Sequence, residues 1–441
     1  MIELLDEQRE RPMERLEIVP TAHIAPTHTV PGSKSYTNRA LTVAALADGT
    51  STLRGALASD DTHVAREALA CLGIVVEEDD TTFRVHGQHG RFADPQQPLF
   101  LGNSGTTTRF FTAMLTIAGF PCTITGNARM QERPIGDLLE ALNQLGTEVT
   151  SVRGNGCPPV HIGAQRLRGG TAEISGAISS QFLSGLLMVA PYAQHDVHLV
   201  VRDTLVSVPY VDLTLDIMAR FGVEVDNEGY RRFFMRGQQC YTGQDYIVEG
   251  DASSATYFWG LAALLGQEMC VTNVPPTSVQ GDVRFLHVLE RMGCKVSHGA
   301  RLVISGPTQL QPLGEIDLNA LPDAAMTVAV LAAFCKGTTR LRNIANLRVK
   351  ETDRLRALTT ELRKLGAAVT ELPDGLHIDG DPERLHAADI VTYDDHRMAM
   401  CFGMAGARLP GIRIQDPACV TKTYPDFWED LQRVGVQTRK V

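Results

Sequence analysis

The chain has 441 residues, of which 44% are hydrophobic and 21% charged, and it carries a net charge of −10. That length and composition describe a globular protein large enough for two cores, and the acidic balance without any long Lys/Arg run excludes a generic nucleic-acid surface. Nine cysteines without a Cys-x-x-Cys pair predict reduced thiols in a cytoplasmic protein, and with no His-Glu-x-x-His or Cys/His ladder a structural or catalytic metal is not indicated.

In chain order, Met1 to Arg15 is crowded with Glu and Arg and lacks the apolar core of a signal peptide. Pro31-Gly32-Ser33-Lys34-Ser35 then runs into a small-apolar helix from Arg39. The same arrangement returns at Asn103-Ser104-Gly105-Thr106 before Arg109, at Ser179-Ser180-Gln181 before Phe182, and at Gly250-Asp251-Ala252-Ser253 before Ala255. It returns again at Pro322-Asp323 before Ala324 and at Asp394-Asp395-His396-Arg397 before Met398. Ser, Asn and Asp at such starts satisfy the bare N–H groups of a first helical turn. The helices that follow are apolar nearly all round, so they belong inside a domain. The most apolar of them, Ala324 to Cys335, is too short and too Thr-interrupted to span a bilayer.

Between these starts lies a second, amphipathic helix that ends in apolar-x-x-apolar-Gly. Its glycines are Gly73, Gly146, Gly222, Gly293, Gly366 and Gly435, each expected in the left-handed position that closes a helix. Both landmarks keep a period of about 72 residues, which predicts six units of strands and two helices. Six units exceed one core, so two bodies of three are expected, with the halfway point near Gly250 and a ligand cleft between them.

The helix starts predict what the cleft takes. Lys34, Arg39, Arg109, Arg129, Arg133, Lys350, Arg354, Arg397 and Lys422 lie in loops or first turns, where a helix dipole disfavours cations. A bound anion removes that penalty. Dipoles alone contribute ~0.3–2 kcal/mol each, against about 8 kcal/mol for micromolar affinity, so the side chains must do most of the holding. The first three units mark their starts with Lys, Ser, Thr and Gln, suited to binding. The later three supply Asp251, Asp323 and Asp394, together with Glu351, as candidate acid–base groups or plain caps. Gly32-Ser33-Lys34-Ser35 is not a P-loop, since Ser33 separates Gly from Lys and Thr27 stands where the first Gly belongs. Asp395-His396-Arg397 has no Ser or Cys elbow to serve, so a hydrolytic triad does not fit.

Nine phrases together resemble the 5-enolpyruvylshikimate-3-phosphate synthases of the enolpyruvyl transferase family. They are Pro31 to Arg39, Leu101 to Arg109, Arg129 to Pro134, Ser179 to Leu183, Glu249 to Ser254, Pro322 to Met326, Arg348 to Arg354, Asp394 to Met398 and Lys422 to Pro425. The resemblance implies an α/β, two-domain inside-out α/β barrel of six βαβαββ repeats, three per domain. It places residues 1–31 with 250–441 in one domain and 32–249 in the other, so that the chain crosses twice, near Pro31 and Glu249.

It also implies transfer of the enolpyruvyl group of phosphoenolpyruvate to the 5-hydroxyl of shikimate 3-phosphate, with C–O cleavage, no cofactor and no metal, in a monomer. Ser35, Arg39, Ser179, Ser180, Gln181, Ser207, Asn346 and Lys350, with Lys34 and Asp323, would hold shikimate 3-phosphate. Lys34, Gly105, Arg129, Gln181, Arg354, Arg397 and Lys422 would hold phosphoenolpyruvate. Asp323 would take the hydroxyl proton, Glu351 would protonate the methylene carbon, and Lys34 would share proton duty.

There are two departures. The N-terminus is longer than in common members and reads as a frayed arm. Phe110 stands where many members carry Pro or Leu, on the helix that presents Gly105; this bears on glyphosate, the family's phosphoenolpyruvate-competing inhibitor. The sibling that uses UDP-N-acetylglucosamine works with a loop cysteine, but Gly126 to Pro134 has none and Cys122 reads as strand core. A non-catalytic phosphosugar-binding relative should have lost Asp323, Glu351 or Lys34, and all three are present.

Overall fold

A computed structural model describes residues 14–441; the segment expected to be a frayed arm lies outside the described residues, apart from its last positions. The six landmark glycines all take left-handed backbone, with φ from +79° at Gly73 to +109° at Gly435. The amphipathic helix Arg354–Lys364 shows why this punctuation repeats. It buries Leu355, Leu358 and Leu362 and is followed by Gly366 at φ +94°. Burying those three leucines stabilises by about 1.5–3 kcal/mol each, which outweighs propensity differences of about 0.7 kcal/mol or less per residue.

The third unit shows the repeat intact. Strand Gly170–Ile174 leads to helix Ser180–Val189, strand Val197–Val201, helix Pro209–Arg220, and the hairpin Asp226–Glu228 with Arg232–Met235. Gly170 pairs with Val197 in parallel, Val197 with Met235 antiparallel, and Asp226 with Phe234 antiparallel. Among the described residues six such sheets form, each open and four-stranded, and none closes into a barrel. The first helices lie inside them: every residue of Gly105–Met114 and of Ala325–Ala333 is buried. Helices within and small sheets around them are what the inside-out α/β reading requires. No described helix is long and apolar enough to cross a membrane.

Three sheets borrow a strand from a distant part of the chain. Strand Asp245–Ile247, which follows the third unit, pairs with Thr52–Arg54 of the first. Thr27–His28 pairs with Cys270–Val271 of the fourth unit, and Arg15–Ile18 inserts between Ile412–Gln415 and Thr438–Lys440 of the sixth. The buried apolar side chains accordingly form two clusters. One draws on Tyr36 to Val248, the other on Leu16, Ile18, Val30 and Ala252 to Val436. The two connecting segments lie side by side: Ser33 N–H donates to Glu249 O at 2.8 Å and Asp251 N–H to Pro31 O at 2.8 Å. They also share a cap, since Asp251 accepts from Ser254 N–H at 2.7 Å in its own helix and from Lys34 N–H at 3.0 Å in the other body.

Two helix starts differ from the sequence reading. Asp394 is not a cap; it sits at φ +54°, and Asp395 caps His396–Gly406 by accepting from Arg397 N–H at 2.9 Å. Asp323 is not a cap either, because the helix begins at Ala325 behind Ala324. Its carboxylate is free of the backbone and turns toward the cationic side chains described next.

Candidate active site

A narrow cleft with a cavity volume of about 40 Å³ lies between the two clusters. From the first body it is lined by helix starts that bring Lys34, Ser35, Gly105, Ser179, Ser180 and Gln181 together. From the second it is lined by Asp323, Asn346, Lys350, Glu351, Arg354 and Arg397. Ser207 also lines it, held at φ +57°, and Asn346 Nδ2 donates to its Oγ at 3.3 Å.

Arg354 is the centre of the arrangement. Only 1% of its side chain is exposed, and its guanidinium serves three carboxylates. Nε donates to Asp395 at 2.7 Å, Nη2 to Glu351 at 2.9 Å, and Nη1 to Asp323 at 3.2 Å. Arg397 Nη2 donates to the other Asp323 oxygen at 2.9 Å, and Tyr210 OH donates to the same oxygen at 3.0 Å. Both reacting-group candidates are therefore strongly perturbed. Burial pushes the Asp323 carboxyl up, but Arg397, Lys350, Arg354 and Lys34 together pull it far below the usual range. Burial likewise works against ionising Glu351, and Arg354, Arg133 and Lys422 outweigh it, leaving the carboxyl well below its ordinary value. Burial drives the His396 imidazole well below its ordinary value, helped by Arg397 and Lys34, so it is neutral at pH 7.

Cationic side chains with unused donors gather at the cleft, Arg133 and Arg397 in its lining and Arg109 behind Gly105. Arg109, Arg133 and Arg397 each have a buried Nε without a protein acceptor. A buried donor left without a partner costs about 1–3 kcal/mol. Gly105 opens the helix between two of these guanidinia: a Cβ there would lie 2.5 Å from Arg133 Nη2 and 2.8 Å from Arg109 Nη1. Any side chain at this position displaces a cationic donor. Gln181 is fixed from both sides, accepting from Arg109 at 2.7 Å and donating to Thr106 Oγ1 at 3.0 Å.

Three sequence-named residues sit off the cleft lining. Arg39 is 1% exposed and spends its donors on Thr214, Ser184 and the Ser35 and Tyr210 carbonyls. Its guanidinium lies 5.2 Å from the Phe110 ring centroid, so the departure at Phe110 supports Arg39 from beneath. Burial lowers the Arg39 pKa to about 10. Arg129 reaches across to the second body and donates to Lys350 O at 2.9 Å and Glu351 O at 3.0 Å. Lys422 Nζ donates to Asp61 at 3.0 Å and to Asn103 O at 2.9 Å. These last two ties hold the bodies together over the cleft.

Sequence reasoning missed Asp61 and Tyr210. Asp61 lies between Lys422, at 3.0 Å, and Lys34, at 3.8 Å. In sequence it reads as an ordinary acidic first-turn residue of helix Asp60–Cys71, so nothing marked it. Tyr210 is the second residue of helix Pro209–Arg220 and breaks no pattern. Arg133 figured only in the general cation argument, although it lines the cleft.

A family model described as EPSP synthase (3-phosphoshikimate 1-carboxyvinyltransferase) matches residues 19–431. The 3-phosphoshikimate 1-carboxyvinyltransferase of Shewanella halifaxensis is 47% identical over 427 residues, spanning 96% of this chain and 100% of its own. The enzyme of the same name from a Sulfurovum species is also 47% identical, with the same coverage. A solved structure of EPSP synthase from Acinetobacter baumannii superposes with a TM-score of 0.79 at 27% identity, covering 97% of this chain and 100% of that one.

Proposed function

The chain belongs to the EPSP synthase family, and from that premise we propose how its cleft carries out 3-phosphoshikimate 1-carboxyvinyl transfer. The enzyme moves the enolpyruvyl group of phosphoenolpyruvate to the 5-hydroxyl of shikimate 3-phosphate and releases inorganic phosphate. The observation that carries the residue assignment is the single buried guanidinium, Arg354, that holds Asp323 and Glu351 at one point among unpaired cationic donors.

Ser35, Ser179, Ser180, Gln181, Ser207, Asn346 and Lys350 hold shikimate 3-phosphate. Lys34, Gly105, Arg354 and Arg397 surround phosphoenolpyruvate from the cleft lining; Arg129 and Lys422 would join them by exchanging their present ties for the substrate, and Arg39 acts from below by fixing Ser35 and the start of the Tyr210 helix. Asp323 accepts the 5-hydroxyl proton as that oxygen attacks C2 of phosphoenolpyruvate, and Glu351 delivers a proton to C3. The tetrahedral adduct collapses when a base recovers a methyl proton and the C2–O bond to phosphate breaks. Both carboxylates are held ionised by the surrounding cations, so Glu351 needs the incoming phosphate to cancel that field before it carries a proton. Water exclusion comes with closure, for which Arg129 and Lys422 supply the ties.

The two crossings support a division into residues 32–249 as one body and 250–441 with 14–31 as the other. A cytoplasmic monomer is the assembly proposed, since the cleft is completed within one chain.

Lys350 gives a pH prediction. Burial lowers its ammonium pKa to about 8, with Asp323 opposing the shift and Arg354 adding to it. The group is charged below that value and neutral above it. Shikimate 3-phosphate affinity is therefore expected to fall as pH rises past about 8, by up to about tenfold per pH unit. Lys350→Arg keeps its charge and flattens the profile. Calorimetric titration across the range checks this.

The function itself is tested by phosphate release on mixing both substrates without added metal and with each omitted in turn. Release that needs both is expected. Release with UDP-N-acetylglucosamine in place of shikimate 3-phosphate moves the chain to the sibling activity, and no release with either overturns the assignment.

A further inference from the structure

The fourth unit carries a cluster that the transfer reaction does not use. His287 and Glu290 stand one turn apart on helix Phe285–Arg291, and His298 closes the strand Lys295–His298 that follows. All three are exposed, and none lines the cleft. His287 Nδ1 lies 2.9 Å from one Glu290 oxygen and His298 Nε2 lies 3.3 Å from the other. One ligand atom from each residue falls within 4.8 Å of the other two. The two imidazole rings are 5.7 Å apart and inclined by only 30°.

We propose that His287, Glu290 and His298 form a surface site for a borderline divalent transition-metal ion, with Zn²⁺ the best match. The argument rests on donor identity and spacing. Neighbouring ligands on a tetrahedral Zn²⁺ with bonds of about 2.0–2.1 Å stand about 3.3 Å apart. The two nitrogen–carboxylate separations already approach that edge length, so an ion is accommodated by small side-chain rotations. Two imidazoles with one carboxylate select zinc, copper or nickel over Mg²⁺ and Ca²⁺, which require shells of oxygen. The remaining position, open to solvent, takes water. The turn at Met292–Cys294 is what brings His298 back over the helix, so an ion here ties the second helix of the unit to its hairpin. A motif scan misses it because the third ligand arrives through tertiary structure rather than through helical spacing.

The test is equilibrium dialysis of the whole protein against Zn²⁺, comparing wild type with His287→Ala/His298→Ala. The exposed thiol Cys71 is replaced by serine in both, to remove a competing ligand. One equivalent bound by the wild-type site, with at least tenfold weaker binding in the double variant, is the expected result. A Cu²⁺-loaded sample should show hyperfine coupling to two nitrogens, reduced to one by His298→Ala alone. Enolpyruvyl transfer should be unchanged in these variants, which shows that they fold. Equal Zn²⁺ binding in wild type and double variant overturns the proposal, as does no binding by either. In those cases the cluster is only a carboxylate hydrogen-bonded to two surface imidazoles.

Discussion

Replacing Glu351 by Gln is expected to lower kcat by roughly 10²–10⁴-fold, the usual range for removing a general acid–base group. Glutamine keeps the side chain's shape, and its carbonyl oxygen still accepts from Arg354, which now donates to Glu351 at 2.9 Å. What it loses is the ability to carry a proton to C3 and recover it. The substitution also removes one negative charge from a cleft built for anions, so substrate affinity should hold or improve. A steady-state kcat compared with calorimetric binding of shikimate 3-phosphate separates the two effects. A kcat within a few-fold of wild type would remove Glu351 from proton transfer and hand the task to Lys34, the other group placed for it.

Arg354→Ala should be the most damaging single change for the fold of the site. The guanidinium faces Asp395, Glu351 and Asp323, at 2.7, 2.9 and 3.2 Å. Removing it takes a partner from three carboxylates: Asp395 is fully buried and Glu351 nearly so, while Asp323 keeps Arg397 and Tyr210. Breaking one buried pair in this way costs about 3–5 kcal/mol, and the loss appears as a lower denaturant midpoint together with abolished turnover. Arg354→Lys should rescue little, because one ammonium does not reproduce a fork that reaches three partners.

The pH sign is definite. In the wild type, Glu351 and Asp323 are held below their unfolded values, so their contribution to stability is present above the carboxylate range and lost on acidification. In Arg354→Ala the buried Glu351 carboxyl loses the largest charge that opposes its burial, so it rises and protonation relieves it. The stability gap between the two proteins should therefore shrink as pH falls from neutral toward 5. A gap that stays constant with pH would mean that lost packing, rather than stranded charge, explains the damage.

Much of this organisation was legible before any coordinates. Gly73 through Gly435 marked the helix ends, because only a residue without Cβ takes the left-handed turn cheaply six times over. The buried first helices followed from their composition, and Asp251 was correctly weighed as a cap. The exchange of Asp394 for Asp395 turned on a single residue. Two adjacent aspartates offer the same chemistry to a helix start, and only the backbone decides which one faces the free N–H groups.

Other features were hidden for reasons of geometry. Asp61 looks like a carboxylate complementing its own helix dipole, and nothing local shows that Lys422 arrives from the other body. Arg39 stands in a motif of binding residues, yet its donors are consumed by Thr214 and Ser184, which lie far along the chain. In the sequence Phe110 stood out only as a departure on the helix that presents Gly105. In the fold it lies against the Arg39 guanidinium and helps to hold it.

The central claim is that Asp323 and Glu351 drive addition and elimination at C2 and C3, so that phosphate departs by C–O cleavage. Phosphoenolpyruvate labelled with ¹⁸O at the bridging position between carbon and phosphorus tests this most directly. The account predicts that the label leaves in the inorganic phosphate, and only when shikimate 3-phosphate is present. Label retained on the carbon product would mean that the P–O bond breaks, and that the cleft transfers a phosphoryl group instead.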